Sequence, residues 1–300
     1  MSKDSYVALV ATPFIILLGA GFAYAGSDGE PFADGLHLFA LLTFLAFAIQ
    51  WVAFVPAIIN QTEHFFDLVG ALTFIAVAAL AYVVSGHHDL YATVAMALVV
   101  VWAIRIGTFL FRRVRMVGKD QRFDVVKTSF LQFLLGWTLQ GFWITFTSAA
   151  AIAVILAPQR PEFGPVAVVG LVVWAAGFTF EVVADRQKAR FKANPANREK
   201  FIDVGLWSLC RHPNYFGEIV LWTGVAIFAA PALQGLTLWL LLSPVFVAIQ
   251  LVFVSGIPPL QTRADAKWGG QPAYEQYKAT TPAVIPRIWR ARDAESAPVG

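Results

Sequence analysis

The chain has 300 residues, of which 58% are hydrophobic and only 14% are charged, whereas roughly a quarter of the residues in a soluble domain are charged. Its mean hydropathy is +0.65 and its formal net charge is +3. A single cysteine, Cys210, excludes an intrachain disulfide and any cysteine-based zinc or iron–sulfur site. The composition therefore excludes soluble and disulfide-stabilised classes and predicts an all-α integral membrane protein.

Eight apolar segments follow one another along the chain, and each except the seventh is as long as a tilted membrane helix. They cover residues 6–25, 36–59, 66–84, 90–111, 130–156, 165–183, 216–230 and 235–255. Pro231 ends the short seventh segment, so the last two segments form either a tight helical hairpin or one broken element. We predict a bundle of about eight transmembrane helices, in which the first segment is a retained helix rather than a signal peptide.

The basic residues predict the orientation, because cytoplasmic loops of membrane proteins hold an excess of lysine and arginine. Eight spans place both termini on one side, and that side then receives 20 of the 22 basic residues. Arg160 falls on the far side, and Arg105 lies within the fourth helix, where it either extends to the interface or pairs with a buried acid. Both termini are therefore predicted to be cytoplasmic.

Three connections on the predicted cytoplasmic side are long for a helical bundle: residues 112–129, 185–215 and 257–300. Long connections usually carry function or are disordered. The chain shows no internal repeat, no soluble second domain and no Gly-Ser linker. We therefore predict a single domain over residues 1–290, and a disordered tail over residues 291–300, which are small, polar and charged without periodicity.

We place the chemistry at residues 205–222, where a polar, aromatic-rich turn leads straight into an apolar helix. Pro213 fits the first helical position, so Arg211 and His212 lie just outside a helix start whose amides and dipole favour an anion. Glu218 lies about one turn inside this helix, near the membrane boundary, and an acid at such a position needs a partner. The four-residue spacing that aligns side chains on a helix gives one face to Asn214, Glu218 and Trp222.

Other charged clusters allow a structural and a functional interpretation. Arg112, Arg113 and Arg115 are interpreted as a solvated basic loop, because topology alone demands such charges. The charges at positions 119–124 alternate in sign and follow Gly118, a pattern that suits either internal salt bridges or phosphate contacts. Two interpretations apply to the charged residues at the end of the sixth helix: they form ion pairs at the helix end, or they have a functional role. These residues are Glu181, Asp185, Lys188 and Lys192.

The third helix opens with Glu63 and Asp67 on one face, and helix capping is the structural interpretation of these acids. The five histidines show no metal-ligand spacing. The chain also has no Gly-x-Gly-x-x-Gly after a strand and no Walker motif, so a nucleotide would need a site unlike the Rossmann fold.

Residues 211–218, Arg-His-Pro-Asn-Tyr-Phe-Gly-Glu, resemble the signature of a superfamily of membrane enzymes. That superfamily includes steroid 5-alpha-reductases, sterol reductases and isoprenylcysteine carboxyl methyltransferases. Gly-Lys-Asp-Gln-Arg-Phe-Asp at 118–124, Ala-Asp-Arg-Gln-Lys at 184–188 and Gly-Leu-Trp at 205–207 resemble a mainly bacterial membrane family of unknown function placed beside the 5-alpha-reductases. The likeness runs from about residue 65 to residue 290.

The resemblance implies a multihelical membrane enzyme that binds NADPH through its cytoplasmic loops and reduces the enone C=C bond of a steroid or other lipid. It also implies the bacterial inner membrane as the location. The partners expected on this basis are a lipid or steroid-like substrate and membrane lipids, and no nucleic acid. The residues that match the cofactor pocket are Asp185, Asn214 and Glu218, and Arg122, Arg211, His212, Tyr215 and Tyr274 fall in matching segments.

The chain departs from the 5-alpha-reductases at the catalytic end. Those enzymes hold the substrate ketone with a Gln-Glu pair and a tyrosine, whereas Trp102 stands at the tyrosine position here and no Gln-Glu pair exists. An indole donates a hydrogen bond but cannot supply a proton as an acid does. Counting back from Arg105 over the family's spacing reaches Asp67, so the resemblance assigns the acid to Asp67 and, second, to Glu63.

Two further functions remain open from the sequence. One is an S-adenosylmethionine-dependent methyltransferase acting on a lipid-linked substrate, because those enzymes share the Arg-His-Pro-x-Tyr string. The other is a noncatalytic membrane protein such as a transporter, although paired broken helices in two corresponding halves, which mark many transporters, are absent from the sequence. Asn214, Glu218 and the segment around Asp185 favour the reductase.

Overall fold

The computed structural model describes residues 3–27, 37–118, 120 and 123–287. Within these ranges the chain is helical, with no β-strand, and eight of its helical segments are long and apolar enough to cross a membrane. The predicted fold class, an all-α integral membrane protein, is therefore confirmed. The predicted tail at 291–300 lies outside the described residues.

Ten α-helices carry this fold within the described residues. They are α1 (Lys3–Gly26), α2 (Leu38–Ile59), α3 (Phe66–Val84), α4 (Leu90–Val117), α5 (Phe130–Leu156), α6 (Pro165–Ala193), α7 (Pro213–Ala229), α8 (Ser243–Ile249), α9 (Ile257–Trp268) and α10 (Pro272–Thr280). Helices α4 and α6 continue well past the predicted ends of their apolar segments, because the charged residues that follow are good helix formers. Gly118, at a φ of 87°, then ends α4.

The last apolar segment is not one regular α-helix. Its path begins as a 3-10 helix at Gly235–Leu242, continues as α8, and passes through a π-helical turn at Gln250–Val254 before α9. The preceding helix α7 ends at Ala229, two residues before Pro231, as the proline predicts. Short 3-10 and π-helical stretches interrupt a regular helix, so the eighth span is a broken element.

The chain forms two compact units. The first consists of Met1–Ala175 and Leu221–Val247. Helix α5 is its centre, since α1, α2, α3 and α4 all pack against it and most of its length is buried. Phe133 and Trp137 of α5 are almost fully buried and contact Phe54 and Phe123. This core lies beside the start of α3, where Asp67 is in the first turn and Glu63 just precedes the helix.

The second unit consists of Ala176–Val220 and Ala248–Gly300. Its turn at Gly205–Ser208 is fastened to α6, because the Leu206 N–H donates to Gln187 Oε1 at 2.9 Å and Trp207 Nε1 donates to the Ala184 carbonyl at 3.0 Å. Gly205 adopts a φ of 62°, and a Cβ there would lie 2.7 Å from Gln187 Oε1. Only glycine fits both demands, so this turn can lead directly into α7.

Candidate functional site

The start of α7 is held by backbone hydrogen bonds to the C-terminal segment. The Arg211 N–H donates to the Pro282 carbonyl and the His212 N–H donates to the Ala283 carbonyl, both at 2.9 Å. Helix α7 then begins at Pro213, as the sequence predicts. These bonds satisfy the two amides that precede the proline and fix the position of His212.

The guanidinium of Arg211 is committed to neighbouring parts of the same unit. Its Nε donates to the Thr281 carbonyl at 3.1 Å, and its Nη1 donates to Gln261 Oε1 at 2.8 Å. Gln261 Nε2 in turn donates to the hydroxyl of Tyr274 at 3.0 Å. Arg211 therefore anchors the C-terminal segment, and two residues that the sequence assigned to a cofactor are joined through Gln261.

Tyr274 is buried, and its hydroxyl donates to Asp265 Oδ1 at 3.0 Å. Burial raises the pKa of Tyr274, and the hydrogen bond to Asp265 and its charge raise it further. Lys278 Nζ lies 3.0 Å from the same carboxylate oxygen. The sequence analysis missed Gln261 and Asp265, although their four-residue spacing places them on one face of α9.

His212 is 8% exposed, and its ring stacks on Tyr215 with the centroids 5.5 Å apart. Burial lowers the pKa of His212 to about 3, and the charges of Lys188 and Arg211 lower it as well. The imidazole is therefore neutral at physiological pH. Its Nδ1 has no hydrogen-bond partner within the part of the chain that the structure describes, so it is available to a ligand.

The close approach of α6 and α7 in this unit occurs at Gly217, which lies against the backbone of Glu181 and Gly177. Two acids beside this contact, Glu181 and Glu218, are 1% and 8% exposed, and Asp185, one turn further along α6, is 5% exposed. Each of these three residues interacts with another residue, and a buried carboxyl group is costly without such a partner. The crossing thus buries three acids near the helix start.

Lys188 lies about one turn beyond Asp185 on α6, and its Nζ is 4.4 Å from the centroid of the Trp207 ring. Asn214, in the first turn of α7, is half-buried and forms no side-chain hydrogen bond with any residue that the structure describes. An amide in that setting can both donate to and accept from a ligand.

We call the residues of the second unit that the sequence assigned to a cofactor the α7-start cluster. Its members are Asp185, Arg211, His212, Asn214, Tyr215, Glu218 and Tyr274. Arg122, the remaining residue of that assignment, lies outside the described residues. Cys210 precedes the cluster, and burial raises the pKa of its thiol to about 11, so it is not a nucleophile at neutral pH.

In the first unit, Glu63 is fixed by two charge-assisted contacts. Lys127 Nζ donates to Glu63 Oε2 at 2.6 Å, and the Asp120 N–H donates to Glu63 Oε1 at 3.1 Å. Burial by itself would raise the pKa of Glu63, but the hydrogen bonds from Lys127 and Asp120 and the charge of Lys127 lower it overall. A carboxylate held ionised in this way joins the loops before α3 and after α4, and it does not donate a proton at neutral pH.

Asp67 lies one turn further along, in the first turn of α3. Its Oδ2 is 3.6 Å from Arg113 Nη2, and the same nitrogen is 3.6 Å from Asp120 Oδ2. The Asp67 side chain is 12% exposed. Asp67 therefore shares Arg113 with Asp120, in addition to lying in the first turn of α3.

Trp102 is fully buried in an aromatic cluster of the first unit. Its ring centroid lies 5.1 Å from that of Phe74, 4.9 Å from that of Trp222 and 5.9 Å from that of Trp143. The Nε1 of Trp222 has no hydrogen-bond partner among the described residues. The position that the resemblance matched to a tyrosine is thus occupied by a packed indole.

The family model described as "Protein of unknown function (DUF1295)" matches residues 53–281 of this chain. Two curated relatives match shorter segments. "Steroid 5-alpha-reductase DET2" from Arabidopsis thaliana is 30% identical over 122 residues, which cover 41% of this chain and 42% of that protein. "Probable O-methyltransferase ustE" from Ustilaginoidea virens is 32% identical over 74 residues, which cover 25% of this chain and 26% of that protein.

The matched segments span less than half the length of either curated relative. No solved structure matches the chain significantly. The comparisons therefore support the superfamily of reductases and methyltransferases that the sequence resembles. The activity of this chain is proposed below.

Proposed function

We propose that this chain, which belongs to the DUF1295 family of membrane proteins, is a membrane-embedded reductase that uses NADPH to reduce an enone C=C bond in a steroid or other lipid. The similarity to a steroid 5-alpha-reductase supports an oxidoreductase of this kind. The α7-start cluster is the observation that carries the proposal, because it combines a helix start, the cation Arg211, buried acids and a neutral buried imidazole, with Lys188 nearby.

The residues of the cluster fit a dinucleotide. His212 offers a buried Nδ1 that has no partner among the described residues, and the charges of Lys188 and Arg211 act on the same site. Cations and the free amides of a helix start favour the phosphates of a dinucleotide. Asn214 and Glu218 supply amide and carboxylate groups that can bind hydroxyl or carboxamide groups.

Each residue of the cluster then has a binding or orienting role. Asn214, Tyr215 and Glu218 would orient the nicotinamide nucleotide from the first turns of α7, and Asp185 would bind it from α6. Tyr274 and Arg211, which are joined through Gln261, would keep the C-terminal segment closed over the helix start and exclude water. When bound, the cofactor would supply a hydride to one carbon of the C=C bond, and a proton from the solvent would complete the reduction at the other carbon.

We assign the acid that polarises the conjugated carbonyl to Asp67. Glu63 is less suited to this role, because Lys127 and the Asp120 N–H hold its carboxylate ionised. Asp67 shares Arg113 with Asp120 instead, and a carboxyl and a guanidinium can together stabilise negative charge that develops on a carbonyl oxygen. The predicted location of this chemistry, the inner membrane of a bacterium with both termini cytoplasmic, stays part of the proposal.

A methyltransferase that uses S-adenosylmethionine is the second candidate, because the match to a probable O-methyltransferase supports it. The two functions differ in their products. Purified protein in detergent is incubated with NADPH and an enone steroid, with the corresponding saturated ketone as the control substrate. The proposal expects NADPH oxidation with the enone only. Methyl transfer from S-adenosylmethionine to an acceptor, without NADPH oxidation, would favour the second candidate.

A further inference from the structure

A groove with a volume of about 460 Å³ lies in the first unit, between the start of α3 and the end of α4. Leu68 of α3 forms one side of it. The other side consists of residues of α4, namely Thr108, Phe111, Arg112, Arg115 and Met116. The groove is thus apolar at one end and carries two arginines at the other.

The groove exists because α3 and α4 have different lengths at this end of the bundle. The two helices are in close contact where Gly107 meets Ala71, since a Cβ at position 107 would lie 2.4 Å from the Ala71 Cβ. Helix α3 begins only about 1.4 turns before Ala71, whereas α4 continues about 2.8 turns past Gly107. The end of α4 therefore extends beyond the start of α3, and the space beside Leu68 and Phe111 stays open.

The three arginines of this helix end have different partners. Arg113 contacts Asp67 and Asp120, at 3.6 Å each. Arg112 and Arg115 line the groove, and neither forms an ion pair with a residue that the structure describes. Because they are three residues apart, they lie on one face of α4. Two exposed positive charges therefore point to an anion at the polar end of the groove.

The length of the apolar run of α4 places the groove near the expected boundary of the membrane. The apolar part of α4, residues 90–111, is about 33 Å long, which is close to the thickness of the hydrocarbon core. Arg112 and Arg115 follow this run, so we expect them at the level of the lipid headgroups and the apolar lining residues Leu68 and Phe111 at the adjoining edge of the hydrocarbon core. The Arg115 guanidinium lies 5.7 Å from the centroid of the Phe111 ring, so charged and apolar surfaces are continuous.

We propose that this groove binds one anionic phospholipid, with its phosphate between Arg112 and Arg115 and one acyl chain along Leu68 and Phe111. Guanidinium groups bind phosphate through charge-assisted hydrogen bonds, and two of them on one helix face suit its several oxygens. A zwitterionic lipid offsets the phosphate with its own cation, and a free phosphate lacks the chain that fills the apolar end. The arginines of this end therefore hold a specific lipid, in addition to setting the orientation of the chain.

The test uses delipidated protein in a neutral detergent, with phosphatidylglycerol, phosphatidylcholine and inorganic phosphate as separate probes. Bound lipid is counted by native mass spectrometry, and the thermal unfolding midpoint is measured in parallel. We expect one phosphatidylglycerol to bind at least tenfold more tightly than phosphatidylcholine and to raise the midpoint. We expect inorganic phosphate to have no effect at the same concentration.

Three variants separate the groove from general attraction by positive charge. The double variant Arg112→Gln with Arg115→Gln should lose the preference for phosphatidylglycerol. Leu68→Trp, which fills the groove but keeps both charges, should weaken binding of both lipids. Arg190→Gln, which removes an exposed arginine at the end of α6, should bind as the wild type does. An unchanged preference in the double variant, unchanged binding by Leu68→Trp, or an equal effect of inorganic phosphate would overturn the proposal.

Discussion

Gly217 of α7 lies so close to Glu181 of α6 that a Cβ at position 217 would be 2.5 Å from the Glu181 amide nitrogen. The same Cβ would be 2.8 Å from the Gly177 carbonyl oxygen. These neighbours are backbone atoms, which cannot move aside as the end of a flexible side chain can. The glycine of the Arg-His-Pro-Asn-Tyr-Phe-Gly-Glu string therefore sets how closely the two helices approach, and it brings Glu218 beside α6.

Gly217→Ala is expected to destabilise the protein by about 1–3 kcal/mol or more, because an added methyl group must push two backbones apart. Gly21→Ala is the matched control in α1, since a Cβ there meets no atom within 4 Å and alanine is the better helix former. Unfolding in a mixed detergent series measures both variants. Equal changes in the free energy of unfolding for the two alanine variants would contradict close backbone packing at Gly217.

Glu63→Gln is expected to lower stability at pH 7 by about 1–3 kcal/mol, because Lys127 loses its partner and the Asp120 N–H keeps only a neutral acceptor. The hydrogen bonds from Lys127 and Asp120 and the charge of Lys127 hold the pKa of Glu63 in the folded protein below its ordinary value of 4.5. The unfolded chain therefore binds more protons near that pH, and the contribution is complete above pH 4.5 and disappears as the pH falls through the folded pKa.

Thermal unfolding midpoints of wild type and Glu63→Gln between pH 7 and pH 3 measure this contribution. The two midpoints should converge as the pH falls. Glu199→Gln is the control, because its side chain is 80% exposed and its pair with Lys267 should contribute little. A constant difference between wild type and Glu63→Gln at every pH would show that the charge of Glu63 is not responsible.

His212→Phe is expected to change how stability depends on pH, while the aromatic ring stays in place beside Tyr215. The pKa of His212 is about 3 in the folded protein, against 6.5 for the free side chain. Between these values the unfolded chain binds the proton and the folded chain does not, so stability should fall as the pH decreases from 6.5 towards 3. Phenylalanine cannot titrate, so the variant should lose less stability over this interval. Chemical unfolding at a series of pH values checks the slope, and identical slopes would contradict a buried, neutral His212.

Asp67→Asn is expected to reduce turnover of an enone lipid by about 10²-fold or more, because the acid that polarises the carbonyl is removed. Asp120→Asn is the matched control, since Asp120 lies at the same 3.6 Å from Arg113 and its backbone N–H to Glu63 is retained. Single-turnover oxidation of bound NADPH compares the two. Turnover of Asp67→Asn within about threefold of wild type would remove Asp67 from the mechanism.

The sequence predicts the helices well where the membrane defines them. The predicted segments 66–84 and 130–156 agree with α3 and α5 at both ends, because in these helices the apolar run and the helix coincide. Helices α4 and α6 extend beyond their apolar runs to Val117 and Ala193, since hydropathy measures the part inside the membrane and not the end of the helix. Local pattern also could not show how the eighth span divides into 3-10, α and π-helical parts.

The candidate site is only partly predictable, because its contacts are distant in sequence. Pro213 correctly predicts the start of α7. The guanidinium of Arg211 binds the Thr281 carbonyl and Gln261, which are 70 and 50 residues away in sequence, so no local pattern links them to Arg211. Likewise, the lysine that fixes Glu63 lies in the loop after α4, so the sequence alone left both acids of this region as equal candidates for capping.

The most direct test of the account is the effect of NADPH on thermal unfolding in detergent, because a ligand that binds only the folded state raises its midpoint. We predict that NADPH raises the midpoint of the wild type but not of Glu218→Gln or Asn214→Ala. The controls Glu275→Gln and Asn197→Ala alter the same residue types in the same unit, outside the α7-start cluster, and should respond as the wild type does. An equal response of all five proteins, or a response to S-adenosylmethionine and none to NADPH, would contradict the account.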